Sequence, residues 1–188
     1  AALQWVSANA GELQIDAARH GIFGQSAGAG LSAATALLAR DRGGPALCFQ
    51  YLGIPELDDR LETVSMREFV DTPMWHRPNA ELSWDFYLGD TYRRGGDDVP
   101  AYAAPARATD LSGLPPAYVS TMESDPLRDE GVLYGLKLMQ AGVRPELHSF
   151  PGTFHCSSLF STTEISQREA AEMCTSLRRG LQLASTHP

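Results

Sequence analysis

One pentapeptide limits what this chain can fold into more than any other feature. Gly24-Gln25-Ser26-Ala27-Gly28 follows a short apolar run, His20-Gly21-Ile22-Phe23-Gly24, and opens an Ala- and Leu-rich stretch from Ser26 to Ala39. The run reads as a buried strand closed by glycine. The stretch reads as a helix stopped by Asp41-Arg42-Gly43-Gly44-Pro45. A G-x-S-x-G segment between strand and helix puts its serine on a sharp, strained turn. The residues two positions to either side are expected to be small, so that the hydroxyl stands clear of the backbone. The helix N-terminus beneath it offers unpaired N–H groups and a partial positive charge. Ser26 is therefore a candidate nucleophile, and the Ala27 amide a candidate donor to an oxyanion. The plainer alternative is a glycine-rich turn with Ser26 as a helix N-cap.

A second pattern is nested in the first. Gly28-Ala29-Gly30-Leu31-Ser32-Ala33 has the G-x-G-x-x-A form of a dinucleotide fingerprint. It begins four residues after the strand ends, already inside the helix, and no acidic residue closes the next strand at Tyr51-Leu52-Gly53. Gly28, Gly30 and Ala33 are better read as small residues that let the helix approach the sheet. No G-K-[ST] triplet is present, so a Walker A loop is excluded.

The remaining chain continues the alternation. Ala1 to Ala8 reads as the end of an amphipathic helix. Ala46 to Leu52, Ala117 to Thr121 and Pro145 to Phe150 read as strands. Asp129 to Gln140 reads as a helix, and so does Thr163 to Leu183, with Ile165, Ala170, Met173, Leu177 and Leu181 along one stripe. Strands alternating with helices predict an α/β architecture with a mostly parallel sheet flanked by helices. Gly53 to Leu114 breaks the rhythm with a helical excursion that holds two of the three tryptophans. Its aromatics fit a subsidiary core, or an apolar wall over the sheet edge that lines a ligand pocket. Met74, Trp75, Trp84 and Phe86 are the candidate pocket residues.

A serine nucleophile needs a base, and the base needs an orienting acid. The histidines are His20, His76, His148, His155 and His187. His20 starts the first strand, at the wrong end; His148 lies inside a strand, and His187 in the tail. His155 falls just beyond the fourth strand. Loops that follow the strands of a parallel sheet emerge on one edge, so His155 is expected beside Ser26. The acid is expected after the third strand, in Met122-Glu123-Ser124-Asp125-Pro126-Leu127-Arg128. Asp125 is the first choice and Glu123 the next, although Asp before Pro is also a good helix N-cap. The order Ser26, Asp125, His155 is that of the α/β-hydrolases.

Composition narrows the classes further. The 188 residues carry 15 Lys+Arg against 23 Asp+Glu, a net charge of −8, which disfavours a nucleic-acid partner. No apolar run approaches the roughly 20 residues needed to span a bilayer, so stable membrane insertion is not expected. Cys48, Cys156 and Cys174 are too few and too scattered for a disulfide framework, and no zinc-type spacing occurs. Their sparseness fits a reducing compartment, and a cytoplasmic location is the expectation. The first residue is Ala rather than Met, and the chain reads as part of a longer one.

Four ordered stretches resemble α/β-hydrolases of the hormone-sensitive-lipase type, the bacterial carboxylesterase/lipase group. They are Gly24 to Leu31, Leu111 to Ala117, Asp125 to Gly131 and Pro151 to His155. Asp58-Asp59-Arg60 and Asp71-Thr72-Pro73-Met74-Trp75 are similar to the group's segment after the second strand. Essentially all 188 residues are covered, which implies one partial catalytic domain over 1–188. Two positions depart from the group: Gln25 stands where Asp is common, and Cys156 where Gly is common. The resemblance also implies an upstream His-Gly-Gly-Gly loop, further strands and cap helices that this chain does not contain. It implies a serine carboxylester hydrolase that acts on short- to medium-chain acyl esters with no metal or cofactor. The partner is then a small-molecule ester, and a homo-oligomer is compatible with it. Some relatives of such enzymes bind a small ligand without turnover, which is the alternative class. The 188 residues alone, with a bare strand edge, are expected to be weakly active or inactive.

Overall fold

The computed structural model describes residues 1–183; His187 lies outside the described residues. Four strands form one sheet in sequence order: β1 (Gly21–Gln25), β2 (Phe49–Gly53), β3 (Ala117–Ser124) and β4 (Pro145–Phe154). Every neighbouring pair is parallel, with Gly24 opposite Leu52, Leu52 opposite Val119 and Val119 opposite Leu147. A parallel sheet needs crossovers, and helices supply them. The helices are α1 (Ala2–Ala8), α2 (Ala27–Asp41), α3 (Val64–Glu68), α4 (Arg77–Leu88), α5 (Arg128–Gln140) and α6 (Glu164–Gly180).

Alternation along the strands decides what each face packs against. On one face Leu52, Ala117 and Val119 meet Ala29, Ala33, Ala36 and Leu37 of α2 and Tyr134 and Leu138 of α5. On the other face Phe49, Tyr51 and Tyr118 meet Met173 and Leu177 of α6. Leu52 and Val119 are fully buried, and each contributes about 1.5–3 kcal/mol by leaving water. The α6 helix comes so close that a Cβ on Gly180 would sit 2.2 Å from the Phe49 ring.

The excursion between β2 and β3 builds its own small core. Leu61, Met66, Ala80, Trp84, Leu88, Val99, Ala104 and Leu127 pack together there. On α4 the inward residues are Ala80, Trp84 and Leu88, spaced four apart on one face. The two sequence readings of this segment meet in Trp84, which is core on one side and lines a cleft on the other.

Several boundaries differ from the sequence expectation: the third strand ends at Ser124 rather than Thr121, and the last helix at Gly180 rather than Leu183. The second strand starts at Phe49 rather than Ala46. The fourth runs on to Phe154, because β4 bulges at Pro151, Gly152 and Thr153 opposite Glu123 and then returns to register with Phe154 against Ser124. Thr153 fixes this extension: its Oγ1 accepts the Glu123 N–H at 3.3 Å and donates to the Phe150 carbonyl at 2.5 Å.

Candidate active site

The C-terminal ends of β1, β2, β3 and β4 lie along one sheet edge. The residues just beyond them are Ser26, Ile54 to Glu56, Asp125 and His155. Ser26 has φ 55° and ψ −127°, a conformation that costs a non-glycine residue on the order of 1–3 kcal/mol. Hydrogen bonds from both sides over-determine it. The Ser26 N–H donates to the Gly53 carbonyl at 2.9 Å, and the Glu56 N–H donates to the Ser26 carbonyl at 3.2 Å. The turn is tight enough that a Cβ on Gly24 would lie 2.1 Å from the Gly28 carbonyl oxygen.

Gly28 departs from expectation, since a Cβ there meets nothing within 4 Å. The close approach belongs to Gly30, whose Cβ would lie 2.1 Å from the Glu56 carbonyl oxygen. That contact is with the loop after β2 rather than with the sheet. The same loop is gripped from α5: the buried Glu130 carboxylate accepts the N–H groups of Leu57 at 2.5 Å and Asp58 at 3.2 Å. Burial holds the Glu130 carboxyl well above the usual range.

Three side chains meet at the edge. The Ser26 Oγ lies 3.0 Å from His155 Nε2, and His155 Nδ1 lies 2.7 Å from Asp125 Oδ2. Asp125 and His155 are buried. With Nδ1 donating to the carboxylate, Nε2 is left as the acceptor for the Ser26 hydroxyl. Asp125 has a second task, because its Oδ1 accepts the Leu127 N–H at 2.9 Å. The sequence also allowed Asp125 as a helix N-cap; α5 instead starts at Arg128 with Leu127 as its N-cap, so Asp125 closes the turn ahead of the helix while it holds the imidazole. Glu123, the other candidate acid, instead accepts the Gly152 N–H at 2.5 Å. Burial works against the charged imidazole of His155, but the hydrogen bond and charge of Asp125 outweigh it and push the pKa up to about 9.

The amide of Ala27 is the first of α2 and has no intrahelical acceptor. Beside it opens a cleft of about 80 Å³ lined by Leu31, Glu56, Ser83, Trp84 and Tyr87. At about 15 Å³ per water-sized group, that is room for roughly five such groups.

The four aromatic-segment candidates separate. Trp84 lines the cleft. Trp75 stacks on the His155 imidazole, with centroids 5.7 Å apart and planes inclined by 30°. Met74 and Phe86 stand on the surface, 55% and 78% exposed. Phe86 is two residues on from Trp84, which turns it to the opposite side of α4. The sequence reading missed Tyr87, although its i+3 spacing from Trp84 was a usable signal. It also missed Glu56, a carboxyl three residues past the end of β2.

Among the described residues no His, Cys, Asp and Glu cluster has a metal-binding arrangement, and no helix is long and apolar enough to cross a membrane.

Comparison with known proteins gives consistent results. A family model described as alpha/beta hydrolase fold matches residues 1–159. Carboxylesterase NlhH of Mycobacterium tuberculosis is 44% identical over 157 residues, covering 82% of this chain and 48% of that protein. Esterase LipI of the same species is 36% identical over 155 residues, with the same coverage. Among solved structures, one titled Bacterial Heroin Esterase superposes with a TM-score of 0.94 at 64% identity, covering 96% of this chain and 57% of that one. Esterase LipW from Mycobacterium marinum gives 0.88 at 38%, covering 95% and 55%. The chain thus spans about half the length of the relatives it matches.

Proposed function

The chain belongs to the α/β hydrolase fold family, and on that premise we propose that this protein is a serine carboxylester hydrolase for which Ser26, His155 and Asp125 form the catalytic triad. The observation that carries the reading is the unbroken relay from Ser26 Oγ through the imidazole to Asp125, at 3.0 and 2.7 Å. Ser26 Oγ attacks the ester carbonyl carbon as His155 Nε2 takes its proton. Asp125 holds the tautomer and stabilises the imidazolium. The negative charge that develops on the carbonyl oxygen is met by the Ala27 N–H. Collapse breaks the C–O bond to the alcohol, which leaves with the proton from His155, and an acyl-Ser26 ester remains. Water then attacks that ester, with His155 again the base, and the acid is released.

Trp75 is a positioning residue in this scheme, holding the imidazole by its stacked face. The small cleft between Ala27 and Trp84 supports small ester substrates over long-chain ones. The outer edge of β1 has no strand partner among the described residues, and Phe23 on it is 49% exposed. That supports weak turnover by the 188 residues alone. The test is Ser26→Ala in the intact protein, assayed on a short p-nitrophenyl ester. A loss of several orders of magnitude is expected; turnover at the wild-type level rejects the reading. Labelling with a fluorophosphonate separates an enzyme from a ligand-binding relative, since only a reactive Ser26 forms the adduct.

A further inference from the structure

We propose that Glu56 makes the cleft beside Ser26 selective for esters that carry a cationic amine. This rests on the hydrolase reading and extends it to the substrate class.

Glu56 is a charged residue type in a place that nothing in the triad chemistry requires. It is only 5% exposed and lines the cleft with Ser83, Trp84, Tyr87, Leu31 and Ala27. Its Oε2 accepts a long hydrogen bond from the Ser83 hydroxyl, at 3.3 Å. Its Oε1 has no hydrogen-bond partner among the described residues. A buried carboxyl oxygen left bare is costly, and such groups persist where something else meets them.

The backbone that carries the carboxyl is also held in place. The Glu56 N–H is tied to Ser26, its carbonyl sits against Gly30, and the next two amides are tied to Glu130. The charged groups that act on it include His155, which favours its ionised form, and Asp125, which opposes it; the buried Glu130 is coupled to it by charge as well. Burial is the larger influence and raises it to about 7, so a cation arriving near neutral pH relieves an unfavourable charge.

The walls complete the chemistry. Trp84 and Tyr87 meet edge to face, with centroids 5.8 Å apart, and both border the cleft that Glu56 closes. Aromatic faces beside a carboxylate suit a quaternary or protonated amine, by cation–π attraction and ion pairing together. An anionic ester meets the same carboxylate and is excluded. Ala27 borders this cleft as well, so the cationic group sits a few bonds from the carbonyl under attack.

The experiment compares two esters of the same shape in the intact protein: acetylcholine and 3,3-dimethylbutyl acetate, in which carbon replaces the charged nitrogen. At pH 8 the cationic ester should have a kcat/KM at least tenfold higher, and Glu56→Gln should cut that ratio at least fivefold. Equal values for the two esters in the wild type, or a ratio unchanged by Glu56→Gln, would overturn the proposal. If neither these esters nor p-nitrophenyl acetate is turned over, the hydrolase reading fails separately. The amine site is then read from binding, by tryptophan fluorescence with choline against 3,3-dimethylbutanol. Choline binding at least tenfold tighter supports the site, and equal affinities reject it.

Discussion

Replacing Gly30 by alanine should damage the nucleophile turn from the far side of its helix. The added Cβ would lie 2.1 Å from the Glu56 carbonyl oxygen, where ordinary contact begins at 3.4 Å. The loop after β2 must therefore retreat by about 3.4 − 2.1 = 1.3 Å, or α2 must tilt by as much. The obstacle is backbone, not a flexible side-chain tip, and Glu130 pins the loop from behind. A shift of that size stretches the 3.2 Å bond from the Glu56 N–H to the Ser26 carbonyl beyond hydrogen-bonding range. Overpacking costs about 1–3 kcal/mol and the lost bond about 1 kcal/mol, so the sum is about 2–4 kcal/mol. At about 2–4 °C per kcal/mol for a domain of this size, Tm falls by roughly 4–16 °C. Displacing the Ser26 backbone by about 1 Å should cost on the order of 10²-fold in kcat/KM. Gly28→Ala is the matched control: its Cβ meets nothing within 4 Å, and helical alanine is favoured by about 0.5–1 kcal/mol. The assays are thermal unfolding and p-nitrophenyl ester turnover on both variants. A Gly30→Ala protein with Tm within 1 °C and turnover within twofold of wild type would refute the steric reasoning, and so would a Gly28→Ala protein that loses more than Gly30→Ala.

Four further outcomes follow from the same geometry. His155 accepts the Ser26 proton only when neutral, and Asp125 raises its pKa. The log kcat/KM profile should therefore climb with pH, its acid limb lying above the ordinary imidazole value of about 6.5; Asp125→Asn should move the limb down and reduce the plateau by about 10³–10⁴-fold. Trp75→Ala removes the stacked face on His155, worth about 0.5–1.5 kcal/mol, and should lower kcat by roughly 2–10-fold with Trp75→Phe recovering most of it. The exposed Phe86 is the contrast, and Phe86→Ala should leave stability within about 0.5 kcal/mol in urea melts. Cys156 sits at φ 59° and ψ 19°, a left-handed conformation costing a side-chain-bearing residue about 1–2 kcal/mol. Cys156→Gly should thus unfold at higher urea than Cys156→Ala, by about 1 kcal/mol, although alanine retains more atoms.

Most of the framework was legible because it rests on local signals. Gly24-Gln25-Ser26-Ala27-Gly28 names both a turn and the elements either side of it, and β1 and α2 lie there. Parallel strands put their outgoing loops on one edge, so Ser26, Asp125 and His155 could be grouped before any distance was known. The parts that escaped are those set by packing across the chain. Which glycine is sterically required depends on where the loop after β2 lies, and that is fixed by Glu130, 74 residues beyond Glu56. The bulge in β4 at Pro151, Gly152 and Thr153, which carries that strand on to Phe154, depends on its pairing with β3 and is not announced by the alternation of β3. In the aromatic segment, residue type alone could not separate Trp84 from Phe86; the helical phase set by Ala80, Trp84 and Leu88 does.

The central claim is that one hydroxyl at this sheet edge is made nucleophilic by its neighbours. It is tested most directly by treating the intact protein with a fluorophosphonate and locating the adduct by peptide mass spectrometry. One adduct per chain, on Ser26, lost in His155→Ala, is the predicted result. An unlabelled Ser26 in the folded wild type, or labelling that is indifferent to His155, would contradict it.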